Sequence, residues 1–357
     1  MTRLHRWTVG LLGTLAVLLL MAAAAVAWWL PSEAELAARL ESEFEQRLGI
    51  GLKVGRVHWA LRPVPVVVIE DIATVQDAPI TARRLSLRPQ LGALVWRRRI
   101  AFDAVDIDGA VLPRASVREF RGRGPAAKMS EGQPWALADV PLEQLDFSDV
   151  TWIDRRDIAL AYDGSIVFDA AWRPRRAEIV RRGVVPPARL VLARDGEADR
   201  WRTELEVGKG AWRGMSVLET TEAGRLRFHA QLDVANVDVA QLTAAFKRRS
   251  AVDGMLFGQT ELRSEGDDPG ALVRSLHSRT RFNVKPARLL RFDLAKAVRT
   301  AGISRDGQTA LDELAGTLDI QATEATWRLS SGHDISRTSP RSLSLTMAGR
   351  PAASAAS

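Results

Sequence analysis

Arg225-Leu226-Arg227-Phe228-His229-Ala230-Gln231-Leu232-Asp233-Val234 puts every apolar side chain at an even number and every polar or charged one at an odd number. Successive side chains of an extended backbone leave on opposite faces, so a period of two marks a strand with one buried face. The sheet that holds this strand has a dry face and a wet face. The same period recurs on either side. Val57, Trp59 and Leu61 alternate with Arg56, His58, Ala60 and Arg62, and Leu85 and Leu87 alternate with Arg84, Ser86 and Arg88. Val66-Val67-Val68-Ile69 follows Pro63 and Pro65, each of which lacks a ladder donor, so this strand belongs at a sheet edge or entry point. Further strands are expected at 100–107, 203–207, 255–262, 279–284, 316–322, 326–329 and 342–347. Asp108-Gly109 ahead of Ala110–Leu112 reads as a hairpin turn. Residues 105–111 (VDIDGAV) are echoed by 145–151 (LDFSDVT) at an offset of 40, which suggests a reused hairpin unit.

A few helices interrupt the strands. Ser32 and Glu35 have capping-box spacing ahead of Leu36, Leu40, Phe44 and Leu48, with Gly49 and Gly51 as a stop. The apolar stripe of this helix is expected to pack on the sheet that follows. Asp238 with Gln241 caps a second helix carrying Val239, Leu242 and Phe246; Asp268-Pro269 opens a third; 292–298 makes a fourth. The fold class is therefore mainly β with a few helices, α+β in composition, as one long curved antiparallel sheet.

Ahead of all this, 24 residues from Trp7 to Leu30 carry no charge, after Arg3, His5 and Arg6. At ~1.5 Å per residue they form a helix about 36 Å long, enough for a hydrocarbon layer of roughly 30 Å. Trp7, Trp28 and Trp29 bracket the run as membrane-interface residues do. The reading is a single-pass anchor at 7–30 behind a cytoplasmic stub at 1–6, with the bulk of the chain exported. The rival is a cleavable signal peptide using the small residues around Ala22–Ala27; the apolar run exceeds the 7 to 15 residues of a signal core. The remaining divisions are a helix-and-strand region at 31–118, a Gly/Pro-containing basic linker at 119–134, a middle β region at 135–230, a module at 231–348 and a disordered tail at 349–357.

No cysteine is present, which excludes a disulfide framework, thiol chemistry and cysteine-based zinc sites. The net charge of +7 is spread as arginine pairs (83-84, 155-156, 175-176, 181-182, 248-249) rather than one tract, favouring a solvated basic face or anionic lipid headgroups over nucleic acid. The five histidines lack metal-ligand spacing, and the calcium-loop pattern suggested by Asp103, Asp106 and Asp108 fails at Ala110 and Val117. No nucleophile elbow, phosphate loop or dinucleotide fingerprint occurs. No catalytic, metal or cofactor-binding residue is assigned. The other tryptophans stand beside strand formers, where core packing explains them.

Two regions resemble the AsmA family of inner-membrane-anchored periplasmic proteins of Gram-negative bacteria. The first is the anchor with 48–112, through RLGIGLKVGRVHWALRPVPVVVIEDI, APITARRLSLRP and IAFDAVDIDGAVL; the second is 232–316, through NVDVAQLTAAF, VDGMLFGQTELRSEGDDPGALVRSLHSRTRFNV, FDLAKA and GQTALDELAG. The chain departs from the family at Lys285-Pro286-Ala287, and the match fades after Ser330. The resemblance implies a groove-like sheet related to bridge-type lipid-transfer proteins, an inner-membrane location with the bulk periplasmic, a role in outer-membrane biogenesis or envelope lipid homeostasis, and no catalytic residues. Membrane lipid, with phospholipid as cargo, and envelope proteins are the expected partners. Val66, Val68, Leu85, Leu87, Leu226 and Phe228 are the candidate lipid-facing residues. The alternative function is a structural or regulatory adaptor that binds envelope proteins through sheet edges.

The topology reading predicts that reporters fused after Pro31 are active only when exported and that the mature protein keeps its N-terminus. A mature chain starting near Trp28, found by N-terminal sequencing, overturns the anchor.

Overall fold

A computed structural model describes residues 33–60, 66–90, 99–100, 102–120, 136–137, 142–169, 173–267, 269–301, 303–304, 306–321, 324–332 and 345–348. The anchor expected at 7–30, with Trp7, Trp28 and Trp29, lies outside these residues, as do the tail at 349–357 and most of the linker. Among the described residues no helix is long and apolar enough to cross a membrane.

The strands are β1 (Leu52–Ala60), β2 (Val66–Thr74), β3 (Thr81–Pro89), β4 (Arg99–Ile100), β5 (Phe102–Asp108), β6 (Val111–Pro113), β7 (Ala136–Leu137), β8 (Gln144–Ile153), β9 (Ala159–Phe168), β10 (Pro174–Arg181), β11 (Ala188–Arg194), β12 (Arg200–Val207), β13 (Gly210–Thr220), β14 (Leu226–Asp238), β15 (Val252–Gly266), β16 (His277–Leu289), β17 (Thr309–Leu311), β18 (Glu313–Gln321), β19 (Glu324–Gly332) and β20 (Leu345–Ala348). The helices are α1 (Glu33–Leu48), α2 (Arg114–Glu119), α3 (Val239–Ala245), α4 (Pro269–Ser275) and α5 (Leu294–Arg299). One sheet takes 18 of the strands. They fall into 16 ranks in chain order, because β5 and β6 lie end to end in one rank and β17 and β18 in another. A separate parallel pair joins β4 to β7.

The sheet is mixed rather than wholly antiparallel. Every neighbouring pair runs antiparallel except the rank of β5 and β6 beside β8, which is parallel. The echo at an offset of 40 is the register of this joint: Val105 pairs with Leu145, Asp106 with Asp146, Ile107 with Phe147 and Val111 with Thr151. The echo thus marks two strands laid side by side, and the hairpin expected at Asp108-Gly109 is corrected. Gly109 at φ 65° bends one continuous line of strand, and its amide donates to Ser148 O at 3.0 Å. Asp149, its counterpart 40 residues on, sits at φ 54° in a bulge where the pairing of β8 with β9 shifts between Phe147 and Val150. Two adjacent kinks keep the parallel strands in step.

α1 covers the expected span. Leu36, Ala37 and Leu40 pack against Val57, Val67, Ile69 and Leu87, and Gly49, at φ 63°, ends the helix with its amide on Glu45 O. Asp238 and Asp293 cap α3 and α5 through Gln241 N and Lys296 N. A short helix, α2, lies just ahead of the linker and is tied to the β2–β3 turn by Gln76 Nε2 donating to Ser116 O. His277 starts β16, directly after α4.

Gly109→Ala is expected to cost about 1–2 kcal/mol, since a Cβ at positive φ is strained and this one meets the Arg83 guanidinium. Urea unfolding measures the cost.

Candidate functional site

Following the pairing from rank to rank gives two unbroken apolar rungs on one face. One runs Val57, Ile69, Leu85, Ile107, Phe147, Gly164, Ile179, Leu190, Leu205, Trp212, Val234, Gly258, Phe282, Gly316. Beside it run Trp59, Val67, Leu87, Val105, Leu145, Ile166, Ala177, Leu192, Thr203, Gly214, Leu232, Thr260, Thr280, Leu318. Its hydroxyls are spent on one another or on indole: Thr203 Oγ1 and Ser216 Oγ are 2.6 Å apart, Thr260 and Thr280 2.9 Å, and Trp212 Nε1 donates to Thr260 at 3.1 Å. These hydroxyls therefore need no water, while the Trp59 Nε1 of the same rung is buried with no hydrogen-bond partner among the described residues.

Helices close this face in some places and leave it open in others. α1 seals β1 to β3, and α3, through Leu242, packs on Val207 and Ala188. Val284, Ala287 and Leu314 form a third buried cluster. Between the first two, among the described residues, no helix makes an extended contact with β8, β9 or β10. There Leu145, Phe147, Ile166, Ile179, Leu190 and Leu192 remain half-buried. The Phe147 ring fills the space over Gly164, where a Cβ would come within 2.4 Å of it.

The six residues singled out from sequence do not share one environment. Leu85, Leu87, Leu226 and Phe228 stand on the dry face, but Val66 and Val68 pair with Ala60 and His58 on the opposite one. Leu87 is buried in the core under α1, whereas Leu85, Leu226 and Phe228 are half-buried. Phe228 lines a cleft of about 630 Å³ with His229, Arg263, Ser264, Ser275 and His277. The open stretch on β8 to β11 was missed, because arginines at wet positions in 173–202 break up the apolar run. The alternation itself, as in Arg189-Leu190-Val191-Leu192, was the available signal.

The wet face neutralises its charges across strands. Arg189 lies 2.8 Å from Glu178 and 3.8 Å from Glu206, Arg213 2.6 Å from Glu204, and Arg56 3.7 Å from Glu70. The Arg189 hydrogen bond lowers the Glu178 pKa. Arg181, one of the pairs read as a solvated face, is instead buried on the dry side, with its guanidinium over Tyr162 and NH1 donating to Ala161 O at 2.9 Å. Arg194 is held between Asp169 and Asp199 over Trp201 and closes the dry face at the β9–β10 and β11–β12 turns. The parallel joint places Asp106 beside Asp146. Burial, then the Asp146 charge, raises the Asp106 pKa, whereas hydrogen bonds from Arg83 and Ser148 lower that of Asp108.

The histidines of the cleft are committed to carboxylates: His229 Nε2 lies 3.3 Å from Glu261, which also binds Arg263, and His277 Nε2 lies 2.5 Å from Asp319, which accepts from Arg279 at 3.1 Å. Among the described residues no group of three or more His, Asp or Glu side chains is placed to hold a metal ion. The chemical capacity of this surface is burial of apolar chain. In comparisons with known proteins, no family model, curated protein or solved structure matches the chain.

Asp106→Asn is expected to stabilise the fold by a few tenths of a kcal/mol at neutral pH, by removing a like charge from a cross-strand pair. A raised carboxyl pKa means that the folded state binds the proton more tightly, so Asp106 destabilises above that pKa and the penalty fades as pH falls through it. The variant's gain in melting temperature should therefore vanish in acid. A gain of equal size at every pH refutes the like-charge account.

Proposed function

We propose that this chain is a non-catalytic, AsmA-like protein of the bacterial envelope that binds or guides phospholipid along the dry face of its sheet. The observation that carries the reading is the apolar stretch on β8 to β11 that no helix among the described residues seals, between the part under α1 and the part under α3. A monomeric sheet ordinarily covers such a face, and one left exposed calls for an occupant. From β5 to β11 the rungs cross four inter-strand steps of ~4.8 Å, about 19 Å. An acyl chain, which spans half of a hydrocarbon core of ~30 Å, fits that length. Each methylene buried contributes ~0.8 kcal/mol, so a dozen along the rungs suffice to hold a lipid. An open sheet of more than ~10 strands tends to curl, and curling turns the dry face into a trough.

The resemblance of 48–112 and 232–316 to AsmA proteins supports the same reading, with the uncharged segment 7–30 as the inner-membrane anchor. Edge-mediated adaptor binding has less support. Among the described residues β1 has a neighbour on one side only, and its Val54 amide is already taken by Glu41 Oε1 at 2.9 Å, which blunts the edge.

The reading predicts opposite outcomes for one substitution made at two places. Leu192→Glu and Ile166→Glu put a carboxylate where the face is open, so the variants should fold with little loss of melting temperature but lose co-purifying phospholipid, measured by native mass spectrometry and lipid extraction. Leu87→Glu puts it in the core closed by α1, and unfolding or loss of expression is expected. Folded Leu192→Glu and Ile166→Glu proteins with full lipid occupancy overturn the assignment.

A further inference from the structure

The connections between strands alternate between two rims of the sheet, and the rims differ in charge. One rim collects 154–158, 182–187, 208–209, 246–251 and 290–308, the connections that follow β8, β10, β12, β14 and β16. These carry Arg155, Arg156, Lys209, Lys247, Arg249, Arg291 and Arg299, all exposed and none in an ion pair among the described residues. That contrasts with the wet face, where arginine after arginine is matched by a carboxylate on the next strand. The acids of the same rim are mostly spent: Asp154 holds Arg248 at 2.6 Å and accepts from two backbone amides, and Asp293 caps α5. Asp157 and Asp306 are the exposed carboxylates left in these connections. The opposite rim has more acids than bases: Asp195, Glu197, Glu222 and Asp267 are exposed beside Arg225 and Arg274, with Asp195 paired to Arg202 and Asp267 to Arg225.

Between the unmatched cations stand three aliphatic side chains that water covers. Val185 is 95% exposed on the β10–β11 turn, and Val298 and Ile303 are 75% and 91% exposed on and after α5. A single exposed valine needs no explanation, but aliphatic tips spaced along a row of free cations are the combination that membrane-surface segments use. From β8 to β16 the row spans eight inter-strand steps, about 38 Å. We propose that this basic rim docks on an anionic bilayer, with Val185, Val298 and Ile303 entering the headgroup–acyl boundary and the cations resting among the phosphates. Nucleic acid would use the cations but gives the aliphatic tips no role. The inference stands apart from the occupancy of the dry face. It adds a lateral contact that lays the open stretch of that face alongside a source of lipid.

The absence of cysteine makes the test direct. Val185→Cys, Ile303→Cys and, on the acidic rim, Val273→Cys are labelled singly with an environment-sensitive nitrobenzoxadiazole probe. The full chain is reconstituted in vesicles of phosphatidylcholine alone or mixed with phosphatidylglycerol. In anionic vesicles the probes at 185 and 303 should shift to the blue and be quenched by acyl-chain spin labels, reversibly with salt, while the probe at 273 stays aqueous. Neutralising Arg249→Gln, Arg291→Gln and Arg299→Gln should lower the ratio of docked to free rim roughly fivefold per cation, with circular dichroism unchanged. Leu192→Glu should leave the rim signal intact, which separates failure of the groove from failure of the rim. Aqueous probes at 185 and 303 on anionic vesicles, an equal shift at 273, or indifference to the neutralised arginines overturns the proposal. So does an oligonucleotide that binds the rim where vesicles do not.

Discussion

The register of the backbone ladder is the constraint on which the rest of this structure depends. A one-residue slip between any two strands would turn a whole set of apolar side chains to the wet face and break both rungs at that rank. Sixteen ranks stay in step because each apolar face gains only from its neighbours in the sheet and each wet face gains from cross-strand ion pairs such as Glu178–Arg189–Glu206. The two faces specify the same register independently. Exposed ion pairs contribute little stability one by one, but a misaligned strand would set arginine beside arginine, and that repulsion guards the alignment.

The parallel joint is the point where this design departs from a simple meander. It joins a four-rank unit under α1 to a twelve-rank unit that begins at β8, and it needs a crossover where the other junctions return antiparallel to the neighbouring rank. The two strands that meet there are similar in pattern, so like residues fall side by side. That brings apolar residues together on the dry face, Ile107 with Phe147. It also sets Asp106 against Asp146 on the other one, and that charge adds to burial in raising the Asp106 pKa. The kinks at Gly109 and Asp149 are the local cost of keeping the two units flush.

The apolar rungs cross both units and are closed by separate helices at different places, so the sheet holds several buried clusters rather than one. The open stretch lies just past the joint. Its residues are large, aliphatic and half-covered, and its rim is bounded on one side by free cations and on the other by acids and the Arg194 ion cluster. An apolar strip between rims of opposite charge has a direction built into it, and the polarity of the rims is a property of the connections, not of the strands.

Alternation in 225–234, the cap at Asp238 and the stripe of α1 were determined by the sequence alone, because each is a local pattern whose physics is complete within a few residues. So was the mainly β class. β10 and β11 were not legible, since arginines such as Arg176 and Arg189 are matched by carboxylates on the same or neighbouring strands and look unmatched in a linear reading, and β9, with Tyr162-Asp163-Gly164-Ser165 at its middle, has no unbroken alternation. The echo at 105–111 and 145–151 was visible, but whether it meant two hairpins or one parallel pair depended on what lay beside it. The placement of Val66 and Val68 was likewise undecidable: a run of four apolar residues has no period, and only pairing with His58 and Ser86 assigns Val68 to the face opposite the rungs, where it is fully buried. Which part of the dry face is closed and which stays open was decided by tertiary structure alone, because that depends on where α1 and α3 come to rest, and helix docking is long-range.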